Sequence, residues 1–553
     1  MSGIFGFVIE NCSDFDSSTP RRSVAILCAI LIGGLFIFTP ILNHILGISA
    51  VLSVPVVGIV YGIAAIKYRN VFTSFVVAII VTSTFAANVP LVAQPVLDSI
   101  PGDIGPNLWL VYLPIVGAFL ILFLTDISGF KETWDLESKL FAGFIAWTAL
   151  GSLISSPPRP DVVIYFSLFL LFGLAAYQVV KYSILNDLIQ SRSVVAILGI
   201  TLVGHLSYGV FQFFFRGAAR ITQLGEPQIT QTLAKFQFGL FGTYQLGTFV
   251  TGFAGMGFHL SALTVLLLGI PFAFYLTDEG PKSRIWLLVP VVGAFIVRVT
   301  GSDTARGAFL IVLTLTGMSI FYAFRNEWIR WIRNGIASSM KVVTVALVSV
   351  TIIFLPSSQS GATTQPSNTE GTTGGNPSTS TDGALSGSSP TPSSHGGSVE
   401  SFSVPFFDLS NLMIRIEQYD LGLRLFIDNP ITGIGGANFV YYFTKLVDPN
   451  RQVALHNIYL AVIVETGVIG FLFYYGSIGM ILLQGMRTIP TAESSFDSTI
   501  LIALIAGVIG ILAYGMLGHA PLTKVTVFIP FWIVLATISG KSNINRNADH
   551  SLS

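Results

Sequence analysis

The fold of this chain is decided by stretches such as residues 498–517, which read STILIALIAGVIGILAYGML. That block contains no charged side chain, and residues 23–42 form a second one, SVAILCAILIGGLFIFTPIL. A helix needs about 20 apolar residues to cross the hydrocarbon core of a bilayer. Over all 553 residues, 52% are hydrophobic and 10% are charged, whereas soluble domains carry about 25% charged residues. The sequence therefore predicts an all-α polytopic membrane protein.

The succession of apolar blocks predicts about 12–14 transmembrane helices. We expect them near residues 23–42, 46–66, 71–90, 108–127, 139–154, 161–180, 194–215, 257–276, 284–299, 307–323, 341–355, 458–483, 498–518 and 522–539. The blocks near 139, 284, 307 and 341 are short, which is typical of tilted or re-entrant segments. No internal repeat of the kind found in many secondary transporters is visible.

Basic residues predict the orientation, because short loops rich in Lys and Arg remain on the cytoplasmic side. With both termini inside, the basic residues of the predicted cytoplasmic loops and tails are Arg21, Arg22, Lys67, Arg69, Lys131, Lys139, Lys181, Arg192, Lys282, Arg284, Arg325, Arg330, Arg333, Lys341, Arg487, Lys541 and Arg546. Arg159 is an exception in the outer loops. This assignment predicts a multi-pass plasma-membrane protein whose long loop 356–457 is extracytoplasmic.

Charge and cysteine content limit the possible partners. The formal net charge is +0, which favours neither nucleic acid nor an anionic surface as a partner. Cys12 and Cys28 are the two cysteines, so thiols cannot build a metal cluster. Arg21 and Arg22 precede an apolar run that is too long for a cleaved signal, which indicates an uncleaved signal anchor. We expect no cofactor, no metal and no nucleic-acid partner.

Composition divides the chain into four parts. Residues 1–355 form the N-terminal membrane part, and residues 458–553 form the C-terminal helices with a cytoplasmic tail. Between them, residues 356–402 are rich in Ser, Thr, Gly and Pro, a composition that predicts a disordered insert. Residues 403–457 complete the outer loop and have the composition of a folded segment again.

The outer loop is predicted to contain an amphipathic helix. Apolar residues recur there at intervals of three and four: Leu412, Ile416, Tyr419, Leu423 and Phe426. Ser410 or Asn411 can cap its start, and Pro430 marks its end. Its charged residues make it unsuitable for spanning the membrane, so we expect it at the outer interface.

Three residues on the predicted outer face have side chains suited to chemistry. Arg306 lies at the mouth of an apolar helix, Arg415 lies in the amphipathic helix, and His456 lies where the chain re-enters the membrane. Two guanidinium groups suit a phosphate or diphosphate, and a nearby imidazole can accept a proton from a sugar hydroxyl. The residues alone leave two other interpretations open, namely arginines that extend to the interface and a structural histidine.

Other features of this region are less specific. Gly433 and Gly435 belong to a glycine-rich run, 428–438, whose backbone can approach a ligand closely or can simply form a turn. Glu465, inside the following helix, is either a proton relay or a buried hydrogen-bonded carboxylate.

The order of these motifs resembles the signature region of the O-antigen ligase and O-antigen polymerase superfamily. The resemblance rests on RIEQY at 415–419, FIDNPITGIGGANF at 426–439, HNIYL at 456–460 and ETG at 465–467. Upstream, TARG at 304–307 resembles the arginine element of that family, and 252–274 resembles its glycine-rich helix start. The similar region covers about residues 252–480.

The resemblance implies a GT-C-like helical fold and a glycosyltransferase that inverts the anomeric centre without a metal ion. It implies that Arg306 and Arg415 bind the diphosphate of a polyprenyl- or dolichyl-linked glycan donor. His456 then activates the acceptor hydroxyl or assists the departing diphosphate. Supporting roles fall on Tyr419, Gly433, Gly435, Asn457 and Glu465. The acceptor is a glycan, a lipid or a protein, so the resemblance leaves ligase and polymerase both open within cell-surface polysaccharide biosynthesis.

The main alternative is a lipid-linked oligosaccharide flippase or another polytopic transporter; an inactive scaffold for surface assembly is a third reading. A flippase should place its charged residues within helices that line a central path. Here the two arginines and the histidine are predicted to gather at one face of the membrane, which favours an enzyme.

Overall fold

A computed structural model describes most of the chain from residue 71 onwards. The described residues are 71–86, 88–90, 104–105, 107–155, 157–215, 233–237, 243–248, 250–252, 254, 256–277, 285–324, 341, 343–353, 409–448, 453–492 and 494–552. The helices predicted near 23–42 and 46–66 and the insert 356–402 lie outside them. Within the described residues, seven helices are long and apolar enough to cross a membrane, and four further apolar helices are shorter.

Most helices follow the predicted apolar blocks, but the helices predicted near 71–90 and 108–127 are wrong in part, because residues 88–90 and 107–109 form strands. Those before residue 356 are α1 Val71–Thr82, α2 Tyr112–Thr125, α3 Ile127–Glu132, α4 Leu136–Ser155, α5 Pro160–Leu185, α6 Ser191–Phe215, α7 Gly257–Leu267, α8 Gly269–Thr277, α9 Leu288–Val299, α10 Asp303–Phe324 and α11 Val343–Ile353. Those after residue 402 are α12 Leu409–Asp428, α13 Phe439–Leu446, α14 Ile458–Thr488, α15 Ser495–Tyr514, α16 Ala520–Thr523 and α17 Val525–Leu552.

Two short antiparallel hairpins interrupt this helical architecture. Strand β1, Asn88–Pro90, pairs with β2, Asn107–Trp109. Strand β3, Leu233–Gln237, pairs with β4, Thr243–Thr248, in the connection between α6 and α7. The sequence analysis did not predict these hairpins, because strands of three to six residues leave too few alternating positions to read. The predicted fold class, an all-α polytopic membrane protein, is confirmed.

Small residues allow α15 to pack closely against its neighbours. A Cβ atom at Gly507 would lie 2.0 Å from the carbonyl oxygen of Leu266 in α7, and one at Gly510 would lie 2.1 Å from Val312 in α10. Glycine at these positions lets helix backbones approach each other within a membrane. Helix α15 therefore packs directly against α7 and α10.

Aromatic stacking joins α4, α5 and α17. The Phe141 and Trp532 rings stack with centroids 3.6 Å apart, and Tyr177 meets Trp532 edge-on at 5.9 Å. A Cβ at Gly173 would lie 2.4 Å from Phe528, so α5 approaches α17 closely. All three aromatic side chains of this cluster are buried.

The predicted amphipathic helix is present as α12 and ends two residues before Pro430, but it already begins at Leu409, so the prediction of a cap at Ser410 or Asn411 is wrong. Leu421 and Leu425 are buried against α14, while apolar side chains on its other faces, such as Met413 and Ile427, are exposed. Charged residues share the exposed surface, as the Arg424–Asp420 ion pair at 2.5 Å shows. Its position beside the start of α14 places Arg415 near His456.

Candidate functional site

The three residues singled out in the sequence belong to three separate elements. Arg306 lies in the first turn of α10, Arg415 lies in α12, and His456 immediately precedes the cap of α14. The positive charge of Arg415 acts on the His456 imidazole, so these two side chains lie within electrostatic reach of each other.

Tyr514, the last residue of α15, connects Arg415 with the start of α10. Its hydroxyl group interacts with the side chain of Ser302 and with the charge of Arg415. The backbone N–H of Arg306 in turn donates to the carbonyl oxygen of Ser302 at 3.1 Å. The structure therefore brings Arg306, Arg415 and His456 to the same end of the helix bundle.

A third arginine, which the sequence analysis missed, lies beside Arg306. Arg298 lies in the last turn of α9, is 3% exposed, and its charge interacts with that of Arg306. Arg306 pairs with Asp303 at 2.6 Å, and the carboxylate of Asp303 is 58% exposed. The signal for Arg298 was present, because a cation inside an apolar helix is by default a functional candidate.

Two of the arginines, Arg306 and Arg415, have N–H donors that are not used in hydrogen bonds within the described residues. Among the described residues, the Arg415 guanidinium makes no hydrogen bond or ion pair. The Nε atom of Arg306 is buried and also lacks a hydrogen-bond partner in the described part of the chain. Unused donors on planar, permanently charged groups favour an anion with several oxygens, such as phosphate or diphosphate.

Gln418 orients the imidazole of His456. Its Oε1 atom lies 3.2 Å from the backbone nitrogen of His456 and 3.1 Å from Nδ1. Gln418 is fully buried, one helical turn beyond Arg415 on the same side of α12. The sequence analysis quoted this residue within its motif but gave it no role, because nothing in the local pattern shows which side chain meets the loop before α14.

A second histidine packs against the first. The rings of His456 and His519 lie 4.9 Å apart at 88°. Burial, and secondly the charge of Arg415, lower the pKa of His456 to about 4. Burial, followed by the neighbouring His456, Lys524 and His259, lowers the pKa of His519 well below its usual value. Both imidazoles are therefore neutral near pH 7, the state in which a ring nitrogen accepts a proton.

Asn457 and Tyr419 hold the backbone around His456 in place. The Oδ1 atom of Asn457 accepts hydrogen bonds from the backbone N–H groups of Tyr459 and Leu460, both at 3.0 Å, and so caps α14. The Tyr419 hydroxyl lies 3.3 Å from the carbonyl oxygen of His456 and 3.4 Å from that of Met516. These two residues fix the position of the loop and the helix start.

The glycine-rich run docks into a break in α14. Gly467 interrupts that helix with φ 67°, and a Cβ there would lie 2.0 Å from the carbonyl oxygen of Ile431. Gly433 and Gly435 also have positive φ, 70° and 92°. A Cβ at Gly433 would lie 2.4 Å from the backbone of Glu465. Glycine is needed at Gly433 and Gly467 because the two backbones touch.

Hydrogen bonds from the same run use several of its backbone amides. The N–H groups of Ile434 and Gly435 donate to carbonyl oxygens of α14 at 3.0 Å. The N–H group of Ala437 donates to the Glu465 carboxylate at 2.9 Å. Glu465 is thus a buried hydrogen-bonded carboxylate that ties the run to the helix following His456.

The charges around the site are predominantly positive. Besides the three arginines, Lys524 is 7% exposed and acts on His519. In the described part of the chain, no three His, Cys, Asp or Glu side chains come together as a group able to hold a metal ion. The arrangement can bind a multiply charged anion beside a neutral imidazole.

Comparison with known proteins identifies a family model that matches part of the chain. No curated protein matches the chain. Residues 288–475, about a third of the chain, match the family model of O-antigen ligase. The matched region contains Arg298, Arg306, Arg415, Gln418 and His456, whereas His519 lies beyond it. The match supports glycan transfer of the ligase or polymerase type, and it confirms the resemblance read from the motifs: this multi-pass membrane protein carries an O-antigen ligase domain at residues 288–475.

Proposed function

We propose that this protein transfers a glycan from a polyprenyl diphosphate carrier to an acceptor hydroxyl on the extracytoplasmic face of the plasma membrane. The observation that carries the proposal is the meeting of arginine side chains with a neutral imidazole at one end of the helix bundle. The arginines suit the diphosphate of the donor, and the imidazole suits the hydroxyl of the acceptor. The O-antigen ligase match supports the same class of reaction.

Arg415 and Arg306 hold the donor diphosphate in this proposal. Arg415 has no carboxylate paired with it among the described residues, and Arg306 keeps a buried Nε donor. Arg298 adds a third positive charge beside Arg306. As the bond between the sugar and the diphosphate breaks, negative charge grows on the departing oxygen. Fixed cations stabilise the transition state, in which this charge is developing, more strongly than they stabilise the bound donor. This difference lowers the free-energy barrier to transfer.

His456 acts on the acceptor. Its neutral imidazole takes the proton of the acceptor hydroxyl while the hydroxyl oxygen attacks the anomeric carbon. Attack from the side opposite the diphosphate forms the new glycosidic bond, breaks the bond to the carrier and inverts the anomeric centre. The electron pair of the broken bond leaves with the polyprenyl diphosphate, and the proton stays on His456 until it is released. The reaction needs no metal ion.

Two activities fit this description. A polymerase joins one lipid-linked repeat to another, whereas a ligase moves a finished glycan onto a lipid, protein or glycan acceptor. Purified protein can be supplied with lipid-linked oligosaccharide alone, or together with a candidate acceptor. Elongation of the lipid-linked glycan indicates a polymerase, and label that appears only on the added acceptor indicates a ligase.

The test of the proposal is transfer by the full-length protein reconstituted in sealed liposomes. We expect transfer with inversion that EDTA leaves unchanged. Arg306→Lys keeps the charge but loses the planar fork, so it should slow transfer sharply. Lipid-linked oligosaccharide that crosses the membrane without any transfer would contradict the proposal and favour a flippase.

A further inference from the structure

Gln418 makes two hydrogen bonds to His456, and both involve its Oε1 atom. The backbone N–H of His456 can only donate, so the side-chain atom at 3.2 Å from it must be the amide oxygen of Gln418. That contact fixes the orientation of the amide, which geometry alone often leaves ambiguous. The same oxygen lies 3.1 Å from Nδ1 of the imidazole.

An oxygen that has no proton can only accept, so Nδ1 of His456 must carry the ring hydrogen. A neutral imidazole has one N–H and one lone pair, and the lone pair therefore lies on Nε2. Among the residues that the structure describes, Nε2 makes no hydrogen bond, and the side chain is only partly buried. This ring nitrogen is open to a ligand.

We propose that Gln418 is a positioning residue that fixes His456 in the tautomer whose Nε2 accepts the acceptor's proton. The inference rests on the proposed function and deepens it, because it states which nitrogen acts and what holds it. It also gives a reason for a fully buried glutamine within an outer loop. Without an acceptor at Nδ1, the ring would be free to rotate and to place its proton on Nε2.

Several charged or titratable groups face His456 and must be considered in a pH experiment. Arg415 and Tyr419 face it from α12, and His519 faces it from the connection between α15 and α16. Behind His519 lie Lys524 and His259. The groups that carry charge near neutral pH are cations, so each of them opposes protonation of His456.

The experiment compares kcat and donor KM for Gln418→Leu and Gln418→Glu in the reconstituted full-length protein. General-base catalysis contributes about 10²–10⁴-fold, and an imidazole held in the wrong tautomer loses much of that contribution. Gln418→Leu should therefore lower kcat by at least about tenfold, with donor KM within about twofold. Glu417→Gln, on the exposed side of the same helix, is the matched control and should retain parental values.

The glutamate variant separates positioning from packing. A carboxylate still accepts from Nδ1–H, so Gln418→Glu should keep transfer within about tenfold of the parent. Its negative charge favours the protonated imidazole, so the acidic limb of the kcat/KM profile should move to higher pH. If Gln418 acted by packing alone, Gln418→Glu would lower transfer at least as much as Gln418→Leu, because a charged side chain fits a fully buried position less well than an apolar one.

The outcomes distinguish a wrong role for Gln418 from a wrong proposal for glycan transfer. Parental kcat in Gln418→Leu, or an unmoved acidic limb in Gln418→Glu, would overturn the role of Gln418 while leaving glycan transfer intact. Parental transfer in His456→Ala would instead overturn the role of His456 itself. If Gln418→Leu does not fold, the acidic limb of Gln418→Glu decides the question.

Discussion

Two clusters of charged side chains lie at opposite ends of the helix bundle, and they are built in opposite ways. In the paired cluster, Lys181 is fully buried and bonded to Asp135 and, at 3.6 Å, to Glu137. In the cationic site, Arg298, Arg306 and Arg415 lie together, and Asp303 beside Arg306 is largely exposed. Removing one partner from a buried ion-paired cluster destabilises a fold, whereas several cations close together, with an unused donor on Arg306, suit a multiply charged anion.

Polar partners complete the paired cluster. Ser539 and Gln484 donate to the two oxygens of Glu137 at 2.8 Å and 3.1 Å, and Asn543 donates to Asp135 at 3.2 Å. The cluster thus joins four helices. Asp135 and Glu137 lie just before and within α4, and their partners lie in α5, α14 and α17. Helix α5 places Lys181 about 30 Å along its axis from Arg159, which contacts the glycine-rich run through Asn438. That distance matches the thickness of a bilayer core.

The largest expected effect is on stability and comes from the paired cluster. Lys181→Met leaves two carboxylates buried without their cation, which should lower the free energy of unfolding by about 3–5 kcal/mol. Thermal unfolding in detergent measures this loss. Lys139→Met, at an exposed position of α4, is the control and should change stability little. Parental stability of Lys181→Met would show that the contrast between the two clusters is wrong.

The next effect is on rate and comes from the cationic site. Arg415→Ala removes a cation that has no partner in the described structure, so folding should be unaffected. Loss of a charge-directed contact costs about 2.7–4 kcal/mol, or about a hundred- to thousandfold in transfer rate. Arg424→Ala is the control, since Arg424 is an exposed arginine of the same helix paired with Asp420. Equal rates for the two variants would remove Arg415 from the site.

A smaller effect is expected where α14 connects the two clusters. Gly467→Ala introduces a Cβ at a backbone with φ 67° and 2.0 Å from the Ile431 carbonyl oxygen. Strain of this kind costs about 1–3 kcal/mol, and displacement of the glycine-rich run should also reduce transfer. Gly479→Ala lies in the same helix with open space around its Cβ, and should be neutral or stabilising. Equal stability of both variants would contradict the docking role.

The smallest effect is a change in pH dependence. In the proposed mechanism transfer needs neutral His456, and burial together with Arg415 lowers the pKa of that residue to about 4. The kcat/KM of the parent should therefore hold from neutral pH downwards and fall as the pH passes through about 4. Arg415→Gln removes a positive charge, so the residual activity should be lost at a higher pH. An acidic limb at the same pH in both proteins would contradict this coupling.

Sequence patterns were sufficient for the helices and for the motif residues. Twenty-residue apolar blocks and three-to-four spacing decide local structure, so α12 and α15 appear close to where they were expected. The GT-C-like arrangement, the count of 12–14 spans and the outer location of the loop stay predictions. The helices predicted near 23–42 and 46–66 lie outside the described residues.

The residues that the sequence could not assign depend on long-range contacts. Gln418 meets His456 from a different element, and His519 comes from the connection between α15 and α16. Arg298 and Arg306 approach because α9 and α10 are joined by a tight connection. From the sequence, the glycine-rich run could be interpreted either as a loop that contacts a ligand or as a turn. Its docking on α14 is visible only when the break at Gly467 is known.

The most direct test of the account measures donor affinity and transfer rate side by side for His456→Ala and the parent. In the proposed mechanism the arginines bind the donor diphosphate and the imidazole activates the acceptor, so donor affinity and transfer rate should separate. Donor affinity should stay within about twofold, while transfer falls by about 10²–10⁴-fold, the usual contribution of a general base. Transfer at the parental rate would contradict the role of His456 and make a transporter the better interpretation.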